Sequence, residues 1–281
     1  MCGRYVMARA AGDLVALGGG ELPDEGLELR PNWNVAPTAD VPILVERVLE
    51  GAGAGAGGGG AVRRELHVAR WGLVPPWAKE LSVGSRAFNA RSETVTSKPT
   101  FRSAVRGRRC AVPVQGYYEW RTPEPGSKGP DGRAAQKQPF YVHPAGAGDG
   151  EGPVIWFAGL YEWWRDPEAD ARGEDPWVLS ASILTMDSPS ADDADPVLAQ
   201  LGELHDRVPV PLSPEAMDAW LEPVKLGSAD EAEALVGRMT EQVFDVARGW
   251  ALRPVGREVG SVRNNGPQLI EERGEQQGTL L

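Results

Sequence analysis

The sequence predicts a strand-dominated α+β fold in one domain, and three observations predict it. Short apolar runs rich in β-branched and aromatic residues recur along the chain, bounded by Gly, Pro and polar clusters. Helix signals are few and fall late. No strand-helix-strand rhythm runs through the sequence, which argues against a doubly wound parallel sheet. At 281 residues the chain is long enough to build a large core.

Val41-Pro42-Ile43-Leu44-Val45 reads as a strand, and the alternating segment Val62 to Ala69 as its partner. Residues 51–60, all Gly and Ala, form a loop insertion between them. A short helix is expected from Thr96 to Val105, with basic side chains on its surface. Strands follow at Arg109 to Val114 and Tyr117 to Trp120, then a second loop insertion at 122–138 before the strand Pro139 to Val142. Val154 to Tyr161 and Trp177 to Met186 complete the strands. Ser213-Pro214 fits an N-cap with proline at the first helical position, leading into Glu215 to Leu221. Ser228-Ala229-Asp230-Glu231 matches a capping box ahead of a helix to about Met239. The domain is expected to span 2–271, and 272–281 to be a flexible tail.

The net charge of −11 argues for solubility rather than nucleic acid. Its distribution argues otherwise: between Arg63 and Arg109, 11 Lys and Arg face 3 Glu, while the acidic residues concentrate later. No apolar run approaches the ~20 residues of a membrane helix, and the N-terminus lacks a secretory pattern, so a cytoplasmic protein is expected. The cysteines are Cys2 and Cys110, and the three histidines show no zinc spacing. Neither a metal, a disulfide nor a cofactor is expected; Cys110 reads as a buried apolar residue.

Cys2, directly behind Met1, is the most informative residue. A side chain that small permits removal of the initiator methionine, leaving an α-amine and a thiol on one residue. The amine titrates near ~7.7–8.0 and the thiol near ~8.5, so both nucleophiles are present at neutral pH. A 1,2-aminothiol condenses with aldehydes to a thiazolidine ring, and its thiolate can instead attack acyl groups. The residues alone leave both chemistries open.

Such a nucleophile needs a proton carrier and a hold on the substrate. His205, in Leu204-His205-Asp206-Arg207-Val208-Pro209, and Glu119, in Gly116-Tyr117-Tyr118-Glu119-Trp120, are the candidates for the first role. An aromatic surround would desolvate the Glu119 carboxylate. Trp71-Gly72-Leu73-Val74-Pro75-Pro76-Trp77 is a proline-braced turn presenting an aromatic that can stack on or wedge between bases. Asn89 and Arg91, two apart, share one face of an extended chain; an amide suits a hydroxyl or carbonyl, a guanidinium suits phosphate.

Together with Met1-Cys2-Gly3-Arg4-Tyr5, Asn34-Val35-Ala36-Pro37 and Asn89-Ala90-Arg91-Ser92-Glu93-Thr94, these motifs resemble the SOS response-associated peptidase (SRAP) family, in order from residue 2 to about Glu271. The resemblance implies a single β-rich α+β SRAP domain with a basic cleft for single-stranded DNA. It further implies capture of abasic sites as a thiazolidine crosslink, without cofactor, by a monomer. By the same resemblance Cys2 is the nucleophile, Glu119 and His205 move protons, and Asn89 orients the opened sugar or the cysteine. Arg4, Arg91, Lys98 and Arg207 would contact phosphate, Thr185 would add a polar contact, and Trp77 would splay the strand. Two positions depart from the family pattern: Val208 after Arg207, and Met186-Asp187 after Thr185. Two other readings of the residues stand beside this one. An N-terminal nucleophile amidohydrolase would use the same Cys2 but leaves the downstream motifs unexplained, and a non-catalytic reader of modified DNA would bind without a covalent product. A peptidase activity, as the family name suggests, would extend to removal of Met1.

Overall fold

A computed structural model describes residues 2–23, 27–49, 61–128, 132–146 and 152–274. The 51–60 insertion, part of the 122–138 insertion and residues 275–281 lie outside the described residues. In chain order the strands are β1 (Tyr5–Met7), β2 (Asn32–Val35), β3 (Asp40–Val48), β4 (Val62–Trp71), β5 (Asn89–Arg91), β6 (Arg109–Val114) and β7 (Gly116–Arg121). They continue with β8 (Gln138–Pro144), β9 (Ile155–Arg165), β10 (Trp177–Asp187), β11 (Arg207–Pro209), β12 (Pro211–Leu212) and β13 (Trp250–Pro254). The helices are α1 (Ala11–Gly18), α2 (Pro167–Ala171), α3 (Pro196–Leu204), α4 (Pro214–Leu221), α5 (Ala229–Glu241) and α6 (Val243–Ala247).

Strands β4, β3, β6 and β9 pair in that order, and β10 pairs with both β4 and β9, closing a five-stranded barrel. Closure removes the unpaired edges that an open sheet would carry. β10 is parallel to β4 and antiparallel to β9, so one long strand seals the barrel. Gly159 makes the squeeze possible: it lies opposite Cys110 on one side and Ile183 on the other, and a Cβ there would stand 2.9 Å from Cys110 Sγ. Ile43, Leu44, Leu66, Phe157 and Leu160 are fully buried in the core. Each contributes roughly 1.5–3 kcal/mol of transfer free energy.

A second sheet, in the order β13-β8-β7-β1-β2, lies beside the barrel. Alternation decides its two faces. Tyr5, Tyr117, Phe140 and Val142 join the barrel's core, whereas Val6, Tyr118 and Tyr141 form a smaller cluster with Val255, Val259, Leu269 and Ile270 of the C-terminal segment. That segment is tied down as far as Glu272, which bridges Val255, and Arg273, whose N–H donates to Pro254 O at 2.9 Å.

The late helices form where their caps predict. Ser213 Oγ accepts the Ala216 N–H at 3.2 Å and Ser228 Oγ accepts the Glu231 N–H at 3.1 Å. The Glu231 carboxylate takes the Gly227 N–H rather than that of Ser228, so the box is shifted by one residue. Gly237, in mid-α5, has open space where a Cβ would be. Gly237→Ala is expected to raise stability by about 0.8 kcal/mol through helix propensity, measured as a rise in the urea midpoint without a change in slope.

Thr96–Val105 does not form the expected continuous helix. It is a series of turns in which Lys98, Arg102 and Val105 make i→i−4 bonds, interrupted at Pro99, which has no N–H to give. The basic stretch also divides on folding. Arg64 pairs with Glu46 and Asp218, Arg108 with Glu162, and Arg109 is buried with its guanidinium on the carbonyls of Trp220, Val105, Glu222 and Val224. Arg86, Arg91, Lys98 and Arg102 stay exposed.

Candidate functional site

The N-terminus enters at the junction of barrel and sheet. β1 is held between β2 and β7, with Tyr5 opposite Tyr117 and Val6 opposite Gly116. Continuing that register sets Glu119 opposite Gly3, next to Cys2, and Arg4 O accepts the Tyr118 N–H at 2.9 Å. Tyr117 and Glu119, two apart, point to one face, the face of Cys2 and Tyr5. Gly116 permits the arrangement because a Cβ there would strike the Tyr141 ring.

Cys2 is wholly buried. Burial first, and the nearby Glu119 charge second, push its thiol pKa well above the ordinary value, while the Arg4 backbone N–H works the other way. The thiol therefore keeps its proton at neutral pH until a base removes it. Tyr117 is pushed up by burial and then by Cys2 and Glu119, so the phenol stays neutral.

Asn89 Nδ2 donates to Cys2 O at 2.8 Å, fixing the backbone of Cys2. Its Oδ1 is buried and has no hydrogen-bond partner among the described residues. An unsatisfied buried acceptor costs about 1–3 kcal/mol. Asn89 reaches this place because β5 lies parallel to β10, with Asn89 beside Ile183 and Arg91 beside Thr185. On the other side of β10, β11 sets Arg207 beside Asp187 and Pro209 beside Thr185. The end of β10 thus gathers Asn89, Arg91, Thr185 and Arg207.

His205 follows α3 as its C-cap, its N–H on Leu201 O at 3.2 Å. Asp195 caps the other end of α3, and α3 packs on β7 and β13, which brings His205 to the side of the sheet that carries Glu119. His205 Nδ1 lies 3.0 Å from the Arg207 N–H and 2.7 Å from Asp206 Oδ1. Those contacts ask opposite states of one nitrogen; where Nδ1 accepts the Arg207 N–H it keeps its lone pair, and Nε2 is then the ring nitrogen that can donate.

The expected phosphate contacts fall into two groups. Arg91 and Lys98 are exposed and have no ion-pair partner among the described residues. Arg4 instead donates to Asn34 Oδ1 at 3.0 Å, Val259 O at 2.8 Å and Gly260 O at 3.3 Å. Arg207 is buried in a two-pronged pair with Glu93, both contacts 2.9 Å, and also binds Asp187 and Thr185 O. Burial raises the Glu93 carboxyl pKa, but hydrogen bonding to Arg207 outweighs it and holds it below the ordinary value. Trp77 is 60% exposed on the turn after Pro75-Pro76, while Trp71 of the same motif is buried with its Nε1–H on Phe88 O at 2.9 Å.

Sequence reasoning passed over Asn34 and Glu93 as individual residues. Asn34 Nδ2 donates to the carbonyls of Val259, Ser261 and Asn264 and so anchors the C-terminal segment beneath Arg4. The signal was present in the motifs around both, but a single sequence does not show their distant partners. Among the described residues no group of His, Cys, Asp and Glu could hold a metal ion, and no helix is long and apolar enough to cross a membrane.

A family model described as SOS response associated peptidase (SRAP) matches residues 1–262. The abasic site processing protein YoqW of Bacillus subtilis (strain 168) is 30% identical over 272 residues, covering 96% of this chain and 99% of its own. The abasic site processing protein HMCES of Rattus norvegicus is 26% identical over 303 residues, covering 96% of this chain and 75% of its own. A crystal structure of a protein from Bacteroides thetaiotaomicron superposes with a TM-score of 0.68 at 22% identity, covering 97% of this chain and 100% of that one. Another, from Bordetella bronchiseptica, gives 0.56 at 20% identity over 91% and 100%. These two speak to the fold alone.

Proposed function

The chain belongs to the SOS response-associated peptidase (SRAP) family, and from that premise we propose that it processes abasic sites in DNA, capturing the ring-opened aldehyde on Cys2 after Met1 is removed. The Cys2 amine adds to the aldehyde carbon, and the carbinolamine loses water to give an imine. Cys2 Sγ then adds to the imine carbon while the nitrogen takes up the thiol proton, closing a thiazolidine. One water leaves and nothing is oxidised or reduced.

The observation that carries this reading is Asn89, which holds Cys2 O with its donor and keeps a buried acceptor unsatisfied. That acceptor suits the Cys2 amine or a hydroxyl of the opened sugar. Glu119, whose charge is felt by the buried thiol, is the base that takes the sulfur proton as the ring closes. His205 donates from Nε2 to the sugar oxygen as the ring opens. Arg91 and Lys98 hold phosphates of a single strand, and Trp77 wedges beside the lesion. Arg4 and Arg207 contact phosphate only by exchanging protein carbonyls and carboxylates that they hold, with Thr185 beside Arg207.

The test is to incubate the protein with uracil-glycosylase-treated single-stranded DNA and run a denaturing gel, with intact mass establishing that Met1 is gone. A shifted band that survives denaturation is the expected result, and its absence on protein beginning at Cys2 overturns the reading. Glu119→Gln is expected to slow capture by roughly a hundredfold, the usual size of a lost general base. Unchanged rates of formation and reversal would remove Glu119 from the reaction.

A further inference from the structure

An open cavity of about 500 Å³ lies away from Cys2, lined by Thr96, Ser97, Arg102, Ser103, Arg106 and Lys225, with Ala229 at its edge. Three cations and three hydroxyls line it, and none of its lining residues is acidic. In a chain of net charge −11 that is a marked local excess of positive charge. The Arg102 and Lys225 side chains are exposed and carry no hydrogen bond or ion pair among the described residues. Arg106 is fixed by its Nε on Leu226 O at 3.0 Å and by Nη2 on Gly227 O, which leaves Nη1 for a ligand. Ala229 is the first residue of α5, where the positive end of the helix dipole is offset by Asp230 and Glu231 in the first turn, so the cavity's charge comes from its Arg and Lys side chains. Glu233 is the carboxylate in contact with the lining, and it accepts the Thr96 hydroxyl at 3.1 Å.

The cavity is connected to the candidate site by the chain itself. Arg91 ends β5, and the turns that follow carry Lys98, Arg102 and Arg106 at intervals of four residues. The Arg102 N–H bonds to Lys98 O at 2.9 Å, one turn that joins the first two of these cations. Thr96 lines this cavity and also a second depression that includes Ser92, adjacent to Arg91, with the carboxylates Glu93 and Glu233 on its wall. In sequence, cations therefore lead from Arg91 through Lys98 and Arg102 to Arg106, which lines the cavity together with Lys225.

We propose that this cavity binds phosphate, and that the phosphate is one in the backbone of the DNA strand as it leaves the lesion. The chemistry is that of Arg and Lys on a phosphodiester, with Ser and Thr hydroxyls as further donors. The cavity extends the footprint beyond the cysteine site and contributes affinity without sequence preference. It rests on the reading of the chain as a DNA-processing protein, but its test is separable from the chemistry at Cys2.

The experiment measures binding of single strands carrying a non-reactive tetrahydrofuran abasic analogue, one of ~5 and one of ~20 nucleotides, which bracket common site sizes. Wild-type protein and R102A/K225A are compared across a salt series. On the long strand the double variant is expected to lower the slope of log K against log salt by about 1.4, two phosphates at ~0.7 each. On the short strand, affinity and slope should match wild type. An unchanged slope on the long strand overturns the proposal, and so does an equal loss on the short strand. If millimolar inorganic phosphate binds wild type but not the variant while the long-strand slope is unchanged, the site serves free phosphate and the assignment to the strand fails. Crosslinking of both proteins to a short strand with a natural abasic site separates the two claims: its failure in wild type sinks the proposed chemistry and leaves the cavity's length-dependent slope standing.

Discussion

Cys2→Ser should abolish the denaturation-resistant product with abasic single-stranded DNA, a loss of at least about a hundredfold, because a hydroxyl is a far weaker acid and a poorer nucleophile than the thiol whose proton a base must take as the ring closes. The variant keeps the α-amine once Met1 is gone, so the first half of the reaction survives. It should form an imine that borohydride traps and that dissociates without it. Wild type should give a stable band with or without reductant. The substitution is nearly isosteric at a fully buried position, and its main structural cost is a buried hydroxyl, about 1–3 kcal/mol if unpaired. A thermal melt therefore accompanies the gel. Full wild-type yield from folded Cys2→Ser without reductant would exclude the thiazolidine. Loss of both the stable band and the borohydride-trapped band would mean that the amine, too, needs the sulfur in place.

Cys2 was legible because its chemistry is local: one residue, one terminus and two ordinary pKa values suffice. Its environment was not. Glu119 could be singled out from the aromatics beside it, but its proximity to Cys2 is created by the pairing of β1 with β7, two segments more than a hundred residues apart in sequence. The strands of the barrel were legible from apolar runs, and β3, β6 and β8 fall within a few residues of expectation. Their closure was not, because it depends on β10 pairing with both β4 and β9 and on the missing Cβ of Gly159. Helix α3 went unseen although Asp195-Pro196 caps it as well as Ser213-Pro214 caps α4. Gly202 obscures it: a poor helix former in the sequence, it is required in the fold because a Cβ would strike Pro189 O and the backbone of Ala191. His205 was therefore identified by its polar setting, without the helix that positions it. Arg207 shows the converse. Its residue type suggested phosphate, and only the fold reveals Glu93 and Thr185 O on its guanidinium.

Gly84→Ala is expected to be the most damaging single methyl added near the site. Gly84 lies in a short 3₁₀ segment, Leu81–Arg86, that packs on Gly72 of the tryptophan-rich turn. A Cβ at position 84 would overlap the Gly72 carbonyl oxygen and stand 2.8 Å from Val74 Cγ2. Backbone strain is not the cause, since Gly84 is not among the residues with positive φ. Nor can Gly72 retreat. Its N–H donates to Ala181 O at 2.7 Å, Trp71 O accepts the Thr38 N–H at 2.7 Å, and the Val74 N–H is held by Ser180 Oγ at 2.9 Å. Two anchors to β10 and one to the turn before β3 fix this segment, so the added methyl must displace the 3₁₀ segment or break an anchor. The cost should be about 3 kcal/mol, at the upper end for overpacking. At roughly 2–4 °C per kcal/mol in a chain of this size, Tm should fall by about 6–12 °C. The effect should also reach function: Val74-Pro75-Pro76 leads directly into exposed Trp77, so a moved turn should weaken non-covalent binding of a strand carrying the abasic analogue. Capture at saturating DNA should be spared, because Cys2, Asn89 and Glu119 are held by other strands. Gly237→Ala, the same methyl placed in open space on α5, separates crowding from any general effect of losing a glycine. If Gly84→Ala melts within a degree or so of wild type, the anchored carbonyl is not the rigid brace that positions Trp77.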